Sequence, residues 1–176
     1  MIFFDRRRIF IISENAVFFC YNKAMPHIHE KIDFVADAYI VNNGRVLLRK
    51  HDKYKIWLPV GGHIELDEDP PQAAIREAKE EVGLDIELVP ATPIENFEDP
   101  KELPPPRFMN RHRINDVHEH IVFVYFARSK SSDVLQGNTE ISDDIRWLTA
   151  KELDDPALGI SDRVKYYAHA ALKALS

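Results

Sequence analysis

The segment GHIELDEDPPQAAIREAKEEVGL, residues 62–84, carries the densest pattern in the chain. Asp69 followed by Pro70 is typical of a helix start, because an aspartate side chain can accept from free backbone N–H groups and proline suits the first turn. Gly83 is typical of a helix end. The segment therefore predicts a helix that begins after Asp69 and ends at Gly83.

This predicted helix carries three glutamates close together, Glu77, Glu80 and Glu81. Like charges three or four residues apart repel each other on a helix surface. The carboxylates are therefore either solvated or brought together to bind a positive group. A solvated acidic face is the ordinary interpretation of such a cluster.

The position of the glutamates favours a cation site. At about 100° per residue, one arc of the helix is apolar and should face the core. Its residues are Ala74, Ile75, Ala78 and Val82. The glutamates occupy the neighbouring arc, at the rim of this face and beside a Gly61–Gly62 pair that lets backbone and ligand approach closely. Converging carboxylates suit Mg²⁺, which takes oxygen ligands and often shares itself with substrate phosphates.

The spacing of these residues resembles the Nudix box, G-x5-E-x7-R-E-U-x-E-E-x-G-U, in which U is apolar. Gly62 is followed after five residues by Glu68 and after seven more by REAKEEVGL, with Ala78 and Leu84 at the apolar positions. Seven fixed letters coincide by chance with odds on the order of 10⁻⁹ per starting position. The flanking WLPVGGHIE and IRWLTAKEL also resemble the family, so the resemblance extends from Ile32 to the C-terminus.

The resemblance implies an α/β (α+β) Nudix fold, an α/β/α sandwich around a mixed β-sheet, over residues 32–176 after an extension at 1–31. It implies a hydrolase that uses Mg²⁺ or Mn²⁺ and water to cleave the pyrophosphate bond of a nucleoside diphosphate linked to another moiety. The substrate stays open among nucleoside triphosphates, oxidised nucleotides, ADP-ribose, sugar nucleotides and dinucleoside polyphosphates. Family members are often homodimers.

The resemblance also implies roles for the box residues. The expected metal ligands are the acidic side chains of the helix and a backbone carbonyl before it: Glu77, Glu80, Glu81 and Gly62 or Gly61. Glu68 is expected to pair with Arg76 and to hold the geometry between loop and helix. With the three glutamates, this pair completes the predicted catalytic set.

The general base that takes the proton of the attacking water is left open, because this role moves within the family. Glu80 and Glu81 are the first candidates, and either change to glutamine should lower turnover at least about a hundredfold with the fold intact. Glu119 and Glu140 are outside candidates, and a solvent-exposed turn is an equally good interpretation of Glu140.

Hydrophobic patterns outside the box predict a mixed sheet with helices. The Asn43–Gly44 turn between two apolar runs predicts a hairpin, and the apolar run in 116–129 predicts a central strand. The other expected elements are a loop at 57–65 that enters a short strand, one or two strands in 84–97, an irregular segment at 98–113, a strand at 143–148, and helices at 149–153 and 161–175.

The irregular segment contains the first candidates for substrate binding, Arg107, Arg111 and Arg113. Arginine forks match phosphate oxygens, although a solvated charged loop is the better interpretation for any one of them. The further candidates for the substrate cleft are Trp57, His120 and Glu140. Trp57 is placed to stack on a base, whereas Trp147 is more simply a core residue.

Two histidine pairs, HIH at 27–29 and HEH at 118–120, raise the question of zinc. Residues two apart share one face of a strand, so each pair could chelate an ion. No third or fourth ligand follows at a recognisable spacing. Surface or pocket histidines are therefore the favoured interpretation, with His118 or His120 near the substrate cleft.

Composition limits the classes of partner. The 176 residues carry a formal net charge of −6, which argues against binding to a nucleic acid polymer. The single cysteine, Cys20, favours a reducing compartment such as the cytoplasm. The sequence has no apolar run long enough for a membrane span. The N-terminal residues are expected to be an added strand pair or residues upstream of a start at Met25.

Two other functions compete with hydrolysis. A Nudix-fold binding or regulatory module without turnover would be expected to lose box carboxylates, and this chain keeps them all. An isoprenoid diphosphate isomerase shares the fold but needs a cysteine for proton transfer, and Cys20 lies outside the resemblance. The hydrolase is therefore the leading hypothesis.

Overall fold

The computed structural model describes residues 31–95, 97, 99–136 and 142–175, together with the backbone of three strands before residue 21. These are β1 (Phe3–Asp5), β2 (Arg8–Ser13) and β3 (Ala16–Cys20), which form an antiparallel sheet of their own. Met25 and the HIH pair lie outside the described residues. The boundary between an extension and the following domain stays a prediction.

The main sheet has eight strands in the order β11-β5-β4-β10-β8, with β6 paired to β5, β7 to β4 and β9 to β10. The strands β4 and β10 are parallel and the other pairs are antiparallel. Their bounds are β4 Ile32–Asn42, β5 Arg45–His51, β6 Trp57–Leu58, β7 Val60–His63, β8 Ile86–Leu88, β9 Phe108–Arg113, β10 Glu119–Ser129 and β11 Ser142–Leu148. This confirms the mixed sheet.

Within the described residues, three helices accompany the sheet: α1 (Pro70–Val82), α2 (Ala150–Leu153) and α3 (Asp162–Leu175), with a short 3₁₀ helix at Pro156–Leu158. On one face of β4, alternate residues pack in a cluster with α1: Ala36, Ala38 and Ile40 with Ala74, Ala78 and Val82. The opposite face packs with α3 through Val35, Tyr39 and Val41 against Val164, Ala168 and Leu172. The helices therefore cover both faces, which confirms the sandwich.

Local signals account for most of the elements. The β4–β5 turn has positive φ at Asn43 and Gly44, 47° and 70°, as a two-residue type I′ hairpin requires. Thr149 caps α2 with Glu152 in a reciprocal capping box. The apolar segment expected to be central becomes β10, which lies between β4 and the edge strands.

Three expectations about local structure are wrong. Most of the loop expected at 57–65 is paired strand, because Trp57–Leu58 forms β6 and Val60–His63 forms β7. The segment expected to be irregular through Arg113 ends in strand β9, which pairs with β10. Ile75 is 42% exposed, whereas Ala73 is fully buried. The buried arc of α1 is rotated toward Glu81, because that carboxylate finds a cationic partner inside the protein.

Candidate active site

Helix α1 has the ends that its sequence predicts. The Asp69 side chain accepts a hydrogen bond from the Gln72 amide at 2.9 Å, and the Gln72 side chain accepts one from the Asp69 amide at 2.8 Å. Gly83 follows the helix with φ of 70°, a left-handed conformation that favours glycine. These two ends fix the length of the helix that carries the glutamates.

Arg76 lies at the centre of the acidic residues. Its Nε and Nη2 donate to the two oxygens of Glu68 at 2.9 and 2.7 Å. Nη2 also donates to the backbone carbonyl of His63 at 3.0 Å. Nη1 donates to Glu77 Oε1 at 2.9 Å and to Glu80 Oε2 at 3.1 Å. Arg76 therefore connects strand β7, the following loop and helix α1.

This network shifts the pKa values of its members. Burial raises the pKa of the Glu68 carboxyl, but hydrogen bonds from Arg76 and from the Glu65 amide, with the charge of Arg76, outweigh burial and lower the pKa below its usual value. The hydrogen bond to Glu68 is the main cause of a raised pKa at Arg76. The pair consequently stays ionised at neutral pH.

Glu81 lies in the interior rather than at the expected rim. Its side chain is 2% exposed and contacts the guanidinium of Arg49, which is 4% exposed. Glu81 Oε2 also accepts a hydrogen bond from the Gly61 amide at 3.0 Å. Strands β5 and β7 therefore both hold this carboxylate.

The two glycines of β7 allow close approach on both sides of the strand. A Cβ at Gly62 would lie 2.3 Å from Glu77 Oε1, so a side chain there would displace the carboxylate. A Cβ at Gly61 would lie 2.4 Å from the backbone oxygen of Ala36. The glycine pair therefore belongs to a packed strand, where the lack of side chains brings α1 and β4 close to the β7 backbone.

The donor set fits a hard divalent cation. Glu77 Oε1 and Glu80 Oε2 converge on one atom, Arg76 Nη1. Carboxylate oxygens are the ligands that Mg²⁺ and Mn²⁺ prefer. Glu81 is the most firmly held of the three, because Arg49 contacts it inside the protein. The three carboxylates are therefore suitable ligands for the Mg²⁺ or Mn²⁺ ion that the Nudix box implies.

Asp37 is a titratable residue beside the β7 glycines that was not apparent from the sequence. It lies opposite Gly61 in the β4–β7 pair, and its Oδ1 would be 2.8 Å from a Cβ at that glycine. Burial raises the pKa of Asp37 to about 7, against the charges of Arg163 and Arg49, which lower it. The charge of Glu77 raises it further. Only the strand register reveals this placement.

Comparisons with known proteins agree with this geometry. The family model described as NUDIX domain matches residues 33–170. The chain belongs to the NUDIX family. A NUDIX-family hydrolase from Clostridium perfringens is 34% identical, with 82% of this chain and 98% of that one covered and a TM-score of 0.74. The expected family and fold are confirmed, and with them the prediction of a NUDIX hydrolase.

More distant NUDIX structures share the fold. A MutT NUDIX hydrolase from Burkholderia pseudomallei is 21% identical over 84% of this chain and all of that one, with a TM-score of 0.58. An ADP-ribose pyrophosphatase from Streptococcus suis is 16% identical over 81% and 90%, with a TM-score of 0.50. A search of curated proteins found no match.

In the described part of the chain, no helix has the length and apolarity needed to cross a bilayer.

A second polar group in this NUDIX domain, the histidine cluster, consists of Asp33, His63, His118 and His120. Asp33 Oδ2 is 3.2 Å from His118 Nε2 and 3.5 Å from His63 Nε2. Burial, followed by the neighbouring imidazoles, lowers the pKa of His120 to about 4. His118 and His120 approach each other as expected, whereas their partners on β4 and β7 depend on a strand register that the sequence does not specify.

Arg107, a predicted substrate residue, is held by the protein itself. Its guanidinium donates to the carbonyl of Val89 at 3.0 and 3.2 Å and to that of Pro90 at 3.1 Å. It also lies 5.4 Å from the centre of the Phe126 ring. These contacts give Arg107 a structural role independent of any substrate.

Arg111 and Arg113 lie at exposed, alternate positions of β9. Arg111 contacts the Glu119 carboxylate, and its hydrogen bond is the main cause of a lowered pKa at Glu119. Arg113 Nε donates to the Asn115 carbonyl at 3.0 Å. The two arginines therefore lie on a paired strand rather than in a loop, and their role in substrate binding stays a prediction.

The remaining predicted substrate residues lie in different surroundings. Trp57 is 4% exposed within the core, and the Arg146 guanidinium lies 5.6 Å from its ring centre. Trp147 is only partly buried and donates through Nε1 to the Ser132 carbonyl at 3.0 Å. His120 belongs to the histidine cluster, and Glu140 lies outside the described residues. Base stacking on Trp57 would require the core or Arg146 to move.

Proposed function

We propose that this protein is a metal-dependent hydrolase that cleaves the pyrophosphate bond of a nucleoside diphosphate linked to another moiety. The observation that carries the proposal is the convergence of Glu77 and Glu80 on one cationic atom, Arg76 Nη1. Gly62 lies directly against one of these carboxylates. Carboxylates that meet beside a glycine backbone suit a cation that also binds phosphate oxygens.

The metal ligands we propose are Glu77, Glu80 and Glu81, with the backbone at Gly62. A bound Mg²⁺ or Mn²⁺ would neutralise and orient the substrate phosphates and assist water attack at phosphorus. Magnesium is favoured over metals that prefer nitrogen or sulfur because the side-chain donors are all oxygen.

Positioning of these carboxylates falls to two arginines. Arg76 holds Glu68 through two hydrogen bonds and carries the loop after β7 against the helix. Arg49 fixes Glu81 inside the protein. Preorganised charges of this kind lower the cost of reorganisation during reaction.

Glu80 is the general base that the geometry favours. Its side chain is 49% exposed, whereas that of Glu81 is 2% exposed, so Glu80 is the carboxylate that an attacking water can reach. An oxygen of Glu80 would accept the proton of the attacking water as the bond between phosphorus and the bridging oxygen breaks. Glu119, with its lowered pKa, is a weaker base, and Glu140 stays an outside candidate.

The predicted substrate residues differ in how directly we propose that they contact the substrate. Arg111 and Arg113 are exposed and able to turn toward phosphate oxygens. His120 lies on β10 and pairs with Asp33 at the start of β4, and its contact with substrate is part of the proposal. Arg107 and Trp57 would contribute through the shape of the surrounding core.

The setting that we propose is a small nucleotide-type substrate in the cytoplasm, with no nucleic acid polymer or membrane partner. The net charge of −6 and the single cysteine support this setting. A homodimer, frequent in the family, is a further proposal. Sedimentation of the purified protein would test the dimer.

The decisive experiment is a substrate panel: nucleoside triphosphates, 8-oxo-guanine nucleotides, ADP-ribose, sugar nucleotides and dinucleoside polyphosphates. We expect turnover of at least one compound with Mg²⁺ or Mn²⁺ and none with a chelator. Glu80→Gln should abolish most of this turnover. Nucleotide binding without cleavage of any compound would instead identify a non-catalytic binding module.

A further inference from the structure

We propose that the histidine cluster, Asp33, His63, His118 and His120, is a second metal site that binds one dication of the zinc class. The ligands would be three imidazole nitrogens and one carboxylate oxygen. The inference does not depend on the proposed hydrolysis, because none of the four residues is among the metal ligands proposed for that reaction.

The spacing of the four donor atoms suits a tetrahedral ion. Zinc–nitrogen bonds of 2.0–2.1 Å place tetrahedral ligands about 3.3 Å apart. His63 Nε2 and His118 Nε2 lie 3.5 and 3.2 Å from Asp33 Oδ2. His118 Nε2 and His120 Nε2 are 3.1 Å apart. All four donor atoms lie within 4.8 Å of one another, so small side-chain rotations would bring them around one ion.

The backbone already holds these donors in place. His120 pairs with Asp33 in the parallel β4–β10 register, and His63, the last residue of β7, pairs with Val35 of β4. His118 directly precedes β10. Ligands on paired strands are positioned more precisely than ligands on loops. The metal would therefore join the ends of three strands that hydrogen bonding has already brought together.

The donor types separate this site from the glutamates of α1. Imidazole nitrogen suits zinc, cobalt, nickel and copper, whereas carboxylate and carbonyl oxygens suit magnesium and manganese. The chain would therefore hold two sites with different metal preferences. A zinc-class ion should bind the histidine cluster at concentrations where Mg²⁺ does not.

Burial and ligand number favour a structural role for this ion. The side chains of Asp33, His118 and His63 are 2%, 11% and 14% exposed. Four protein ligands complete a tetrahedron and leave no position for a substrate, as in structural zinc sites. The expected effect is thus a gain in stability, because an ion that binds only the folded state raises its stability.

The test measures metal binding on the full-length chain freed of metal by a chelator. We expect one Zn²⁺ per chain by elemental analysis after dialysis, and titrated Co²⁺ should give the visible absorption of a four-coordinate ion. His120→Ala and His118→Ala should each weaken Zn²⁺ binding at least about a hundredfold, since losing only outer-shell partners of a metal costs 10–100-fold. Zn²⁺ should raise the melting temperature of the wild type but not of these variants.

Matched variants make the result specific. His169→Ala removes a partly exposed histidine of α3 that contacts Asp154 and does not belong to the cluster, and this variant should bind Zn²⁺ as the wild type does. The double variant His27→Ala/His29→Ala and Glu80→Gln should also keep the site. The proposal is overturned if the wild type binds no stoichiometric Zn²⁺, if Co²⁺ remains six-coordinate, or if the binding is lost in the His27/His29 variant and kept in the cluster variants.

Discussion

Arg49 on β5 and Glu81 on α1 form an ion pair in the interior of the protein, with 4% and 2% of their side chains exposed. This contact joins a helix to the sheet through charges rather than through apolar packing. Removing one partner of a buried pair leaves the other charge uncompensated, which costs about 3–5 kcal/mol. The pair therefore makes a catalytic-box residue part of the core.

Glu81→Gln should for this reason destabilise the fold, by about 2 kcal/mol or more, rather than leave it intact. Urea unfolding of the metal-free protein measures the change. The double variant Arg49→Met/Glu81→Gln should recover at least half of the loss, because it removes both charges. Equal stability of Glu81→Gln and wild type would contradict the buried pair.

Glu80→Gln should behave differently, because Glu80 is exposed. We expect turnover to fall at least about a hundredfold while the melting temperature stays close to that of the wild type. Glu87→Gln, an exposed change on β8, is the matched control and should keep both properties. Near-normal metal-dependent turnover in Glu80→Gln would remove Glu80 from the catalytic set.

Gly62→Ala should lower activity through sterics alone. Its new Cβ would lie 2.3 Å from Glu77 Oε1 and push that carboxylate away. A tenfold loss of turnover or more is expected, about 1.4 kcal/mol in the barrier. Gly44→Ala meets nothing within 4 Å but sits at a φ of 70°, so it should cost stability and leave activity unchanged. The reverse pattern would argue against a functional contact between Gly62 and Glu77.

Asp37→Asn should change how stability depends on pH. The pKa of Asp37 is raised from 3.8 to about 7 in the folded protein, so between these values the native state holds a proton that the unfolded state releases. The free energy of unfolding therefore falls as pH rises through that window, because Asp37 must lose its proton in a folded state that favours the protonated form. The variant should gain at least about 1 kcal/mol relative to wild type between pH 4 and pH 8.

The measurement is chemical unfolding of both proteins across this range with a chelator present. Other groups titrate alike in wild type and variant, so the difference isolates Asp37. A difference that does not vary with pH would show an ordinary pKa at this position.

Arg107→Ala and Arg111→Ala should separate structure from substrate binding. Arg107 donates to two backbone carbonyls, so its loss should lower the melting temperature by several degrees. Arg111→Ala should instead raise KM several-fold with little change in stability. Steady-state kinetics and thermal unfolding on both variants provide the check, and an unchanged KM for Arg111→Ala would remove it from the substrate site.

The box and its helix could be predicted from sequence because their signals are local. Asp69 and Gly83 bound the helix, and the spacing from Glu68 to Arg76 places these side chains within reach of each other on neighbouring segments. The hairpin at Asn43–Gly44 has the Asn-Gly turn between apolar runs, which is the strongest short-range signal of a hairpin. Such features depend on residues close together in sequence, so the rest of the chain has little influence on them.

What the sequence did not reveal depends on pairing between distant strands. Asp37 faces Gly61, and Asp33 faces His120, only because of the β4–β7 and β4–β10 registers. The burial of Glu81 depends on Arg49, from another part of the chain. A shift of one residue in either strand register would turn the paired side chains of that strand to the opposite face of the sheet.

The parallel pairing of β4 with β10 also bears on how the chain is made. Strand β4 emerges from the ribosome long before its central neighbour β10. Its stretch from Val35 to Val41, apolar except for Asp37, has that edge unpaired in the interval. Closing such a long intervening segment costs chain entropy and slows folding. Nascent chains that end before β10 should consequently aggregate through this edge, and chaperone capture should be strongest at that length.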